Sequence, residues 1–532
     1  MGATPRALRA LVLLCGFRLL SPLLLAVPAL LGVVAVARAH GPVTDAVAGA
    51  TVLVSVVLAV PVVRGMSMMR TPSGEDPPGI PVTESDEPRL WALVRELADA
   101  AGTRAPERIV LTGDVGAVVT EEPRLLGLRP GPRRLHLGVP LMTGLSEAQL
   151  RAVLAHEYGH FTGGDTRLSA LVARGRARLA RIVGRLHATA HGERDDTTGG
   201  GHGGPGAGMA DRMTAALHLP YAKLCLRASL ATARDQEYAA DLTAARIAGR
   251  EATASALREI QLLAAAHDFY LRSYATLGVP VRLLPPRGEF FGGFGRMLTA
   301  REPDLARLRT RLPAAPSSPY DPHPPVAERV RRVDALPPDG RAEEPGGAAS
   351  AVLADPGRTL AALEDAVLSE ELLAFRRAGA WQDLLDDSMA KGLAGLDTPL
   401  HRALGSYTRQ APTLPALLRL IEDGRLWRLA RRLPLPEEAA PARGHAFRES
   451  VRPVLRESLQ SMVLAEFSAC SLLCWEFSWS RPAVVRLPGW TSEGGPDGGP
   501  EARLDAAVTA ALADTPDTGP LRALLPPAPQ YV

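Results

Sequence analysis

With 532 residues the chain has room for two to four domains. Its 60 basic and 57 acidic residues leave a net charge of only +3, which gives no case for a nucleic-acid partner. The four cysteines, Cys15, Cys225, Cys470 and Cys474, are too few and too scattered for a disulfide framework and fit a reducing compartment.

In chain order, the first elements are two apolar runs. Leu19 to Ala37 is 19 residues without a charge, and Ala46 to Val63 is 18 more. Each approaches the ~20 residues that a helix needs to cross ~30 Å of hydrocarbon. The short connection from Arg38 to Asp45 makes them a helical hairpin. Arg6, Arg9 and Arg18 precede the first run and Arg64 and Arg70 follow the second, whereas Arg38 alone lies between. Basic flanks stay on the cytoplasmic side. The expectation is a multi-pass protein of the cell membrane whose partner is the lipid bilayer, with everything after the hairpin in the cytoplasm. A cleaved signal peptide is the rival, since Ala37-Arg38-Ala39 loosely fits a cleavage site. The run is long for a signal, however, and a second span follows at once.

Residues 1–70 therefore read as a membrane anchor and the Pro-, Gly- and acid-rich residues 71–88 as a linker. A helix over Arg89–Ala101 follows, then strand signals near Arg108–Thr112, Ala117–Thr120 and Arg134–Val139. The next helix, Ser146 to Thr162, opens on a capping box, Ser146 with Gln149 three residues on. Leu150, Val153, Leu154 and Phe161 follow at helical spacing.

That helix carries His156-Glu157-Tyr158-Gly159-His160, the form H-E-x-x-H. On a helix, residues i and i+4 share a face, so both imidazoles can bind one metal ion. Glu157 then lies where it can take a proton from water at that metal. Such a site needs a third protein ligand. A second helix, Ala233 to Asp241, offers Glu237 and Asp241 one turn apart among alanines. Glu237 could ligate while Asp241 accepts a histidine N–H, or the two could form an ordinary charged solvent face.

Four segments resemble, in order, the membrane zinc metallopeptidases that include HtpX and the type 1 CAAX prenyl proteases, a gluzincin family. They are Leu135-His136-Leu137-Gly138-Val139-Pro140-Leu141, Leu154 to His160 with Gly164-Asp165, Arg234 to Asp241, and His323-Pro324-Pro325 with Arg329. The resemblance spans roughly residues 86–336. It implies one Zn2+ per chain on His156, His160 and Glu237, supported by Asp241 and Asp165, with Glu157 as general base. It also implies that His323 and Arg329 come near the site to hold the substrate or the transition-state oxyanion. The family often carries Asn-Ala on the strand before the catalytic helix, where this chain has Gly116-Ala117. A side-chain donor is then missing, but the backbone at Ala117 could still pair with an extended peptide.

The implied fold is α+β and mainly helical: the hairpin, a zincin-type metallopeptidase domain over residues 89–336, and a helical C-terminal region. The implied activity is endoproteolysis of a protein or peptide substrate, with membrane-protein quality control as its setting. A proteolytically inactive membrane scaffold with a structural zinc site is the alternative, and the intact Glu157 speaks against it. A CAAX-processing enzyme would need more spans than the two visible.

Between the zinc helices, Leu168 to Ala190 contains five arginines and an apolar stripe, fitting a helix on an anionic membrane surface or one packed on the domain. Residues 191–208 are Gly-rich, and His191 and His202 there read as solvated. Residues 337–350 read as a linker, 351–490 as a helical domain without a catalytic motif, and 491–532 as a flexible tail. Cys470 and Cys474, four apart, read as packed on one helical turn. The sequence carries no sign of the oligomeric state.

Overall fold

The computed structural model describes scattered residues between 12 and 55, residues 77–121, 131–162, 175, 179, 183, 207–310, 321, 323–341, 347–434, 443–470, 472–486 and 500–525. The chain divides into two compact units, residues 1–265 with 303–367, and residues 266–302 with 368–532.

The first unit is built on a four-stranded sheet of order β1-β2-β4-β3, from β1 (Gly79–Val82), β2 (Arg108–Thr112), β3 (Ala117–Glu121) and β4 (Arg133–Gly138). β2 and β4 run parallel, while β1 and β3 are antiparallel to their neighbours. The three strand signals in the sequence thus become strands. β1 falls inside the stretch whose composition reads as a linker. It forms by pairing Gly79 to Val82 with Thr112 to Ile109, and its Pro81 is tolerated because β1 is an edge strand.

Helix α1 (Pro88–Ala101) starts with a proline at its first position and stops at Gly102, whose φ of 68° is left-handed. Its buried face is Leu90, Trp91, Val94, Leu97 and Ala98, the spacing of one helical stripe. The short α2 (Val139–Gly144) leads from β4 into α3 (Glu147–Gly159). Both bonds of the expected capping box are present: Gln149 N–H to Ser146 Oγ at 3.2 Å and Ser146 N–H to the Gln149 side chain at 2.9 Å. Leu150, Val153, Leu154 and Tyr158 are buried, and Tyr158 donates its hydroxyl to the Val94 carbonyl of α1 at 3.1 Å. α3 ends two residues before Phe161, so that ring does not extend the stripe. It lies instead 4.3 Å from the Arg133 guanidinium.

Two long helices follow, α4 (Ala207–Ala248) and α5 (Arg250–Tyr270). α4 packs along α3, and α6 (Val326–Asp334) packs on α4. The unit continues past Leu336. Ala349 N–H bonds to the Leu145 carbonyl, and Glu147 N–H to that of Gly347. Glu87 accepts from Ala354 N–H at 2.6 Å and from the Thr359 hydroxyl of α7 (Pro356–Val367) at 3.3 Å.

The second unit is mainly helical. Leu404, Leu417, Leu418, Ile421, Leu455, Leu459 and Val508 share one apolar core. A second cluster stacks Tyr270, Phe294, Trp381, Phe477 and Trp479. Cys470 and Cys474 are exposed there, contrary to their expected burial. Cys470 caps the helix Gly444–Ala469, and the chain then turns into the strand Cys474–Glu476, so the two share no helical turn.

Helix is described at residues 29–37 and 44–53 within the two apolar runs. Among the described residues no helix is long and apolar enough to cross a membrane. Most of the rest of both runs, Asp165, most of 168–190, His191 and His202 lie outside the described residues.

Candidate active site

Crossing of α3 and α4 brings the expected ligands together. The helices come close at Gly159, where an added Cβ would sit 2.7 Å from the Cα of Ala240. Only glycine on one helix and a small residue on the other let the backbones approach this far. His160 is the C-cap of α3 but keeps helical angles, φ −66° and ψ −15°. The i, i+4 geometry with His156 therefore survives the helix end, and the two rings meet edge-on at 4.9 Å. Glu237 rises from α4 between them, with Oε2 at 3.6 Å from His156 Nε2 and Oε1 at 3.8 Å from His160 Nε2.

One ligand atom from each of His156, His160 and Glu237 lies within 4.8 Å of the others. Two imidazoles and a carboxylate, about 4 Å apart around a common point, match the donor set of a catalytic zinc site. Glu237 Oε2 is buried and makes no well-aligned hydrogen bond, although His323 Nδ1 lies 2.9 Å away and Arg329 Nη1 3.4 Å. A buried carboxylate oxygen left in that state is suited to a cation.

Around this set, Asp241 Oδ1 lies 3.0 Å from His156 Nδ1, which leaves Nε2 to face Glu237. Asp241 is itself held by Arg329 of α6, with Nε and Nη2 at 2.9 and 2.6 Å from its two oxygens. Arg329 is buried, at 8% exposure, so its charge stands against the two carboxylates it touches. His323, expected beside the site, is there on the segment before α6.

The charges are ordered. Burial opposes protonation of His156, but Asp241 and Glu237 outweigh it and lift its pKa to about 9. Burial and the neighbouring His156 push His160 down to about 4. Burial would raise Glu237, yet His156 and His323 hold it far below the carboxylate range. Asp241 is likewise held low, against its burial, by Arg329. Glu157 differs: burial dominates and raises it above the usual value, the shift a general base requires.

Glu157 has a partner that side-chain patterns could not reveal. Val119 N–H of β3 donates to its Oε2 at 3.3 Å. Gly138 N–H bonds to the Gly116 carbonyl at 2.8 Å, and the ladder pairs Ala117 with Leu137. Alternation along an antiparallel pair then turns the backbone groups of Ala117 and Val119 away from β4, toward the free edge and the site. Ala117 and Glu157 line one cavity. Position 138, in the segment Leu135 to Leu141, has to be glycine, since a Cβ there would strike the Asp114 carbonyl.

The site opens into a cavity of about 610 Å³ within the first unit. Its far wall is one face of α5, a contribution with no motif. Its only sequence signal is the spacing of Ala256, Leu257, Ile260 and Ala264.

The comparisons with known proteins agree with this geometry. Residues 85–336 match the family model described as Peptidase family M48. A protein called Protease HtpX homolog from Kineococcus radiotolerans is 28% identical over 261 residues, 48% of this chain and 76% of its own. A Protease HtpX homolog from Polynucleobacter necessarius is 29% identical over 241 residues, 45% of this chain and 77% of its own. Protease HtpX from Stenotrophomonas maltophilia is 31% identical over 183 residues, 32% of this chain and 58% of its own. No solved structure matches the chain. Residues 85–336 are thus similar to the HtpX-like peptidases of family M48, and the chain is a metallopeptidase.

Proposed function

We propose that this chain is a membrane-anchored, zinc-dependent endopeptidase with its catalytic domain on the cytoplasmic side. One observation carries the reading. His156, His160 and Glu237 converge while Glu157, from the same helix α3, is half-buried beside the free edge of β3. A purely structural zinc site has no use for that second carboxylate.

Zn2+ held by His156, His160 and Glu237 would supply a Lewis acid that polarises the scissile carbonyl and makes water a nucleophile at neutral pH. The rest is done by the chain's own groups. Glu157 takes the proton of the attacking water, and its burial-raised pKa lets it pass that proton on to the leaving amine. Asp241 fixes the His156 ring by its Nδ1 side, and Arg329 fixes Asp241 with two parallel hydrogen bonds. The outward backbone groups of Ala117 and Val119 can align an extended substrate as an added strand. They stand where Gly116 offers no side-chain donor. His323, exposed and paired with Glu237, would meet the oxyanion or the leaving group. Asp165 is proposed, from the resemblance alone, to support the ligands.

The anchor rests on the two uncharged runs and their five flanking arginines. A Glu157→Gln variant captured from membranes with its bound proteins tests the whole reading. Recovery of protein fragments or substrates by wild type and variant alike, at equal turnover, would sink it.

A further inference from the structure

The wall of the cavity opposite the metal-ligand cluster has a different character from the cluster itself. Every charged side chain along the cavity lies on the catalytic side, on α3, α4 or the segment leading into and through α6. The α5 face, with Leu141 of α2 and Val153 of α3, adds only uncharged groups. Burial is graded along this wall: Ala256 and Leu257 are buried at 3% and 8%, Ile260 is half-buried, and Gln261 at the mouth is exposed. The result is a largely apolar slot, buried at Ala256 and Leu257 and exposed at Gln261, in the same cavity as Glu157. A volume of about 610 Å³ is in the range of pockets that enclose a ligand group.

We infer that this slot is the specificity pocket for one substrate side chain flanking the scissile bond, and that it takes a large apolar residue of the Leu, Ile, Met or Phe class. This rests on the peptidase reading. A chain lying along the outward edge of β3 passes Glu157, which lines the same cavity as the α5 wall. An acidic or basic side chain entering the slot would lose water and meet no opposite charge on the α5 wall, whose polar side chains are Thr253 and Gln261. Ala256 sets the depth of the slot, because any larger side chain there would project into it. Ile260 sets the polarity of its mouth.

The test uses the full chain in detergent and a library of internally quenched peptides varied at each position around one cleavage site. Wild type should cleave best where a large apolar residue flanks the cut. Ile260→Glu should lower kcat/KM for the Leu peptide by about 10–100-fold, the scale of pocket discrimination, and raise that for the Lys peptide. Ala256→Phe should shift preference to Ala and Ser. Ile260 is partly solvated, so Ile260→Glu keeps the test decisive if Ala256→Phe fails to fold. A flat profile for wild type, or an unchanged profile for Ile260→Glu, overturns the pocket while leaving the peptidase reading intact. If neither chain cleaves anything, the peptidase reading fails and equilibrium binding decides the pocket. Fluorescent Leu and Asp peptides bound equally by wild type would overturn it. Preference for Leu that Ile260→Glu removes would uphold it. Displacement of both peptides by a dodecyl detergent, without side-chain discrimination, would overturn it in favour of an acyl chain.

Discussion

The crossing of α3 and α4 and the leucine core of the second unit bury side chains for opposite ends. Around Gly159 and Ala240 the chain buries Glu237, Asp241 and Arg329 and half-buries His156, groups whose removal from water is costly unless they are paired. The core of Leu404, Leu417, Leu418, Leu455 and Leu459 is apolar throughout, and each side chain there contributes by leaving water and by close packing. The first arrangement makes little sense as stabilisation alone. A polar cluster this dense, with carboxylates at 3 to 4 Å from histidines, fits a bound cation and a reaction. The second needs no ligand to account for it.

Substitutions should separate the two regions. Glu237→Ala should strip zinc, measured by elemental analysis of purified protein, and abolish peptidase activity. Zinc at one per chain in that variant would mean that α4 supplies no ligand. Glu157→Gln should keep the metal yet lose ~10²–10⁴-fold in activity, the usual share of a general base. Near wild-type turnover would remove Glu157 from its role. On the other side of the comparison, Leu418→Ala should cost ~2–5 kcal/mol of stability, as for a fully buried leucine, with zinc content of the folded protein unchanged. Metal loss in that variant would show that the contrast between the regions is false.

Two finer predictions sharpen the site. Asp241→Asn should weaken zinc binding ~10–100-fold, as partners of ligating histidines do, readable as a shifted chelator midpoint. No shift would mean that Asp241 serves only to neutralise Arg329. Val119→Pro removes the N–H that bonds to Glu157 on a strand edge where proline is tolerated. Activity should fall about tenfold, in line with a charge-assisted hydrogen bond, while the melting temperature stays near wild type. An unchanged rate would show that Glu157 needs no backbone partner.

Much of the site is legible in the residues because it depends on local periodicity. The i, i+4 relation of His156 and His160, the capping box at Ser146 and Gln149, and the paired acids of α4 are set by 3.6 residues per turn. What periodicity cannot carry is the meeting of two faces distant in sequence. Glu237 reads equally as a ligand or as a solvent-facing acid until Gly159 lies against Ala240. The Phe161 ring fits a helical stripe, but the helix ends first and Arg133 claims it. Cys470 and Cys474 fit one helical turn until the chain bends between them. β1 reads as linker because its strand character comes from β2 and not from its own Pro and Gly. Ala256, Leu257 and Ile260 show a buried stripe in the sequence, but only the tertiary fold leaves part of that stripe facing a cavity beside Glu157. Sequence by itself determined which residues carry chemistry and which helices bear them, since those follow from residue type and helical period. Tertiary structure decided their partners, because a contact between α3 and α4, or between β3 and Glu157, depends on how close two backbones can come.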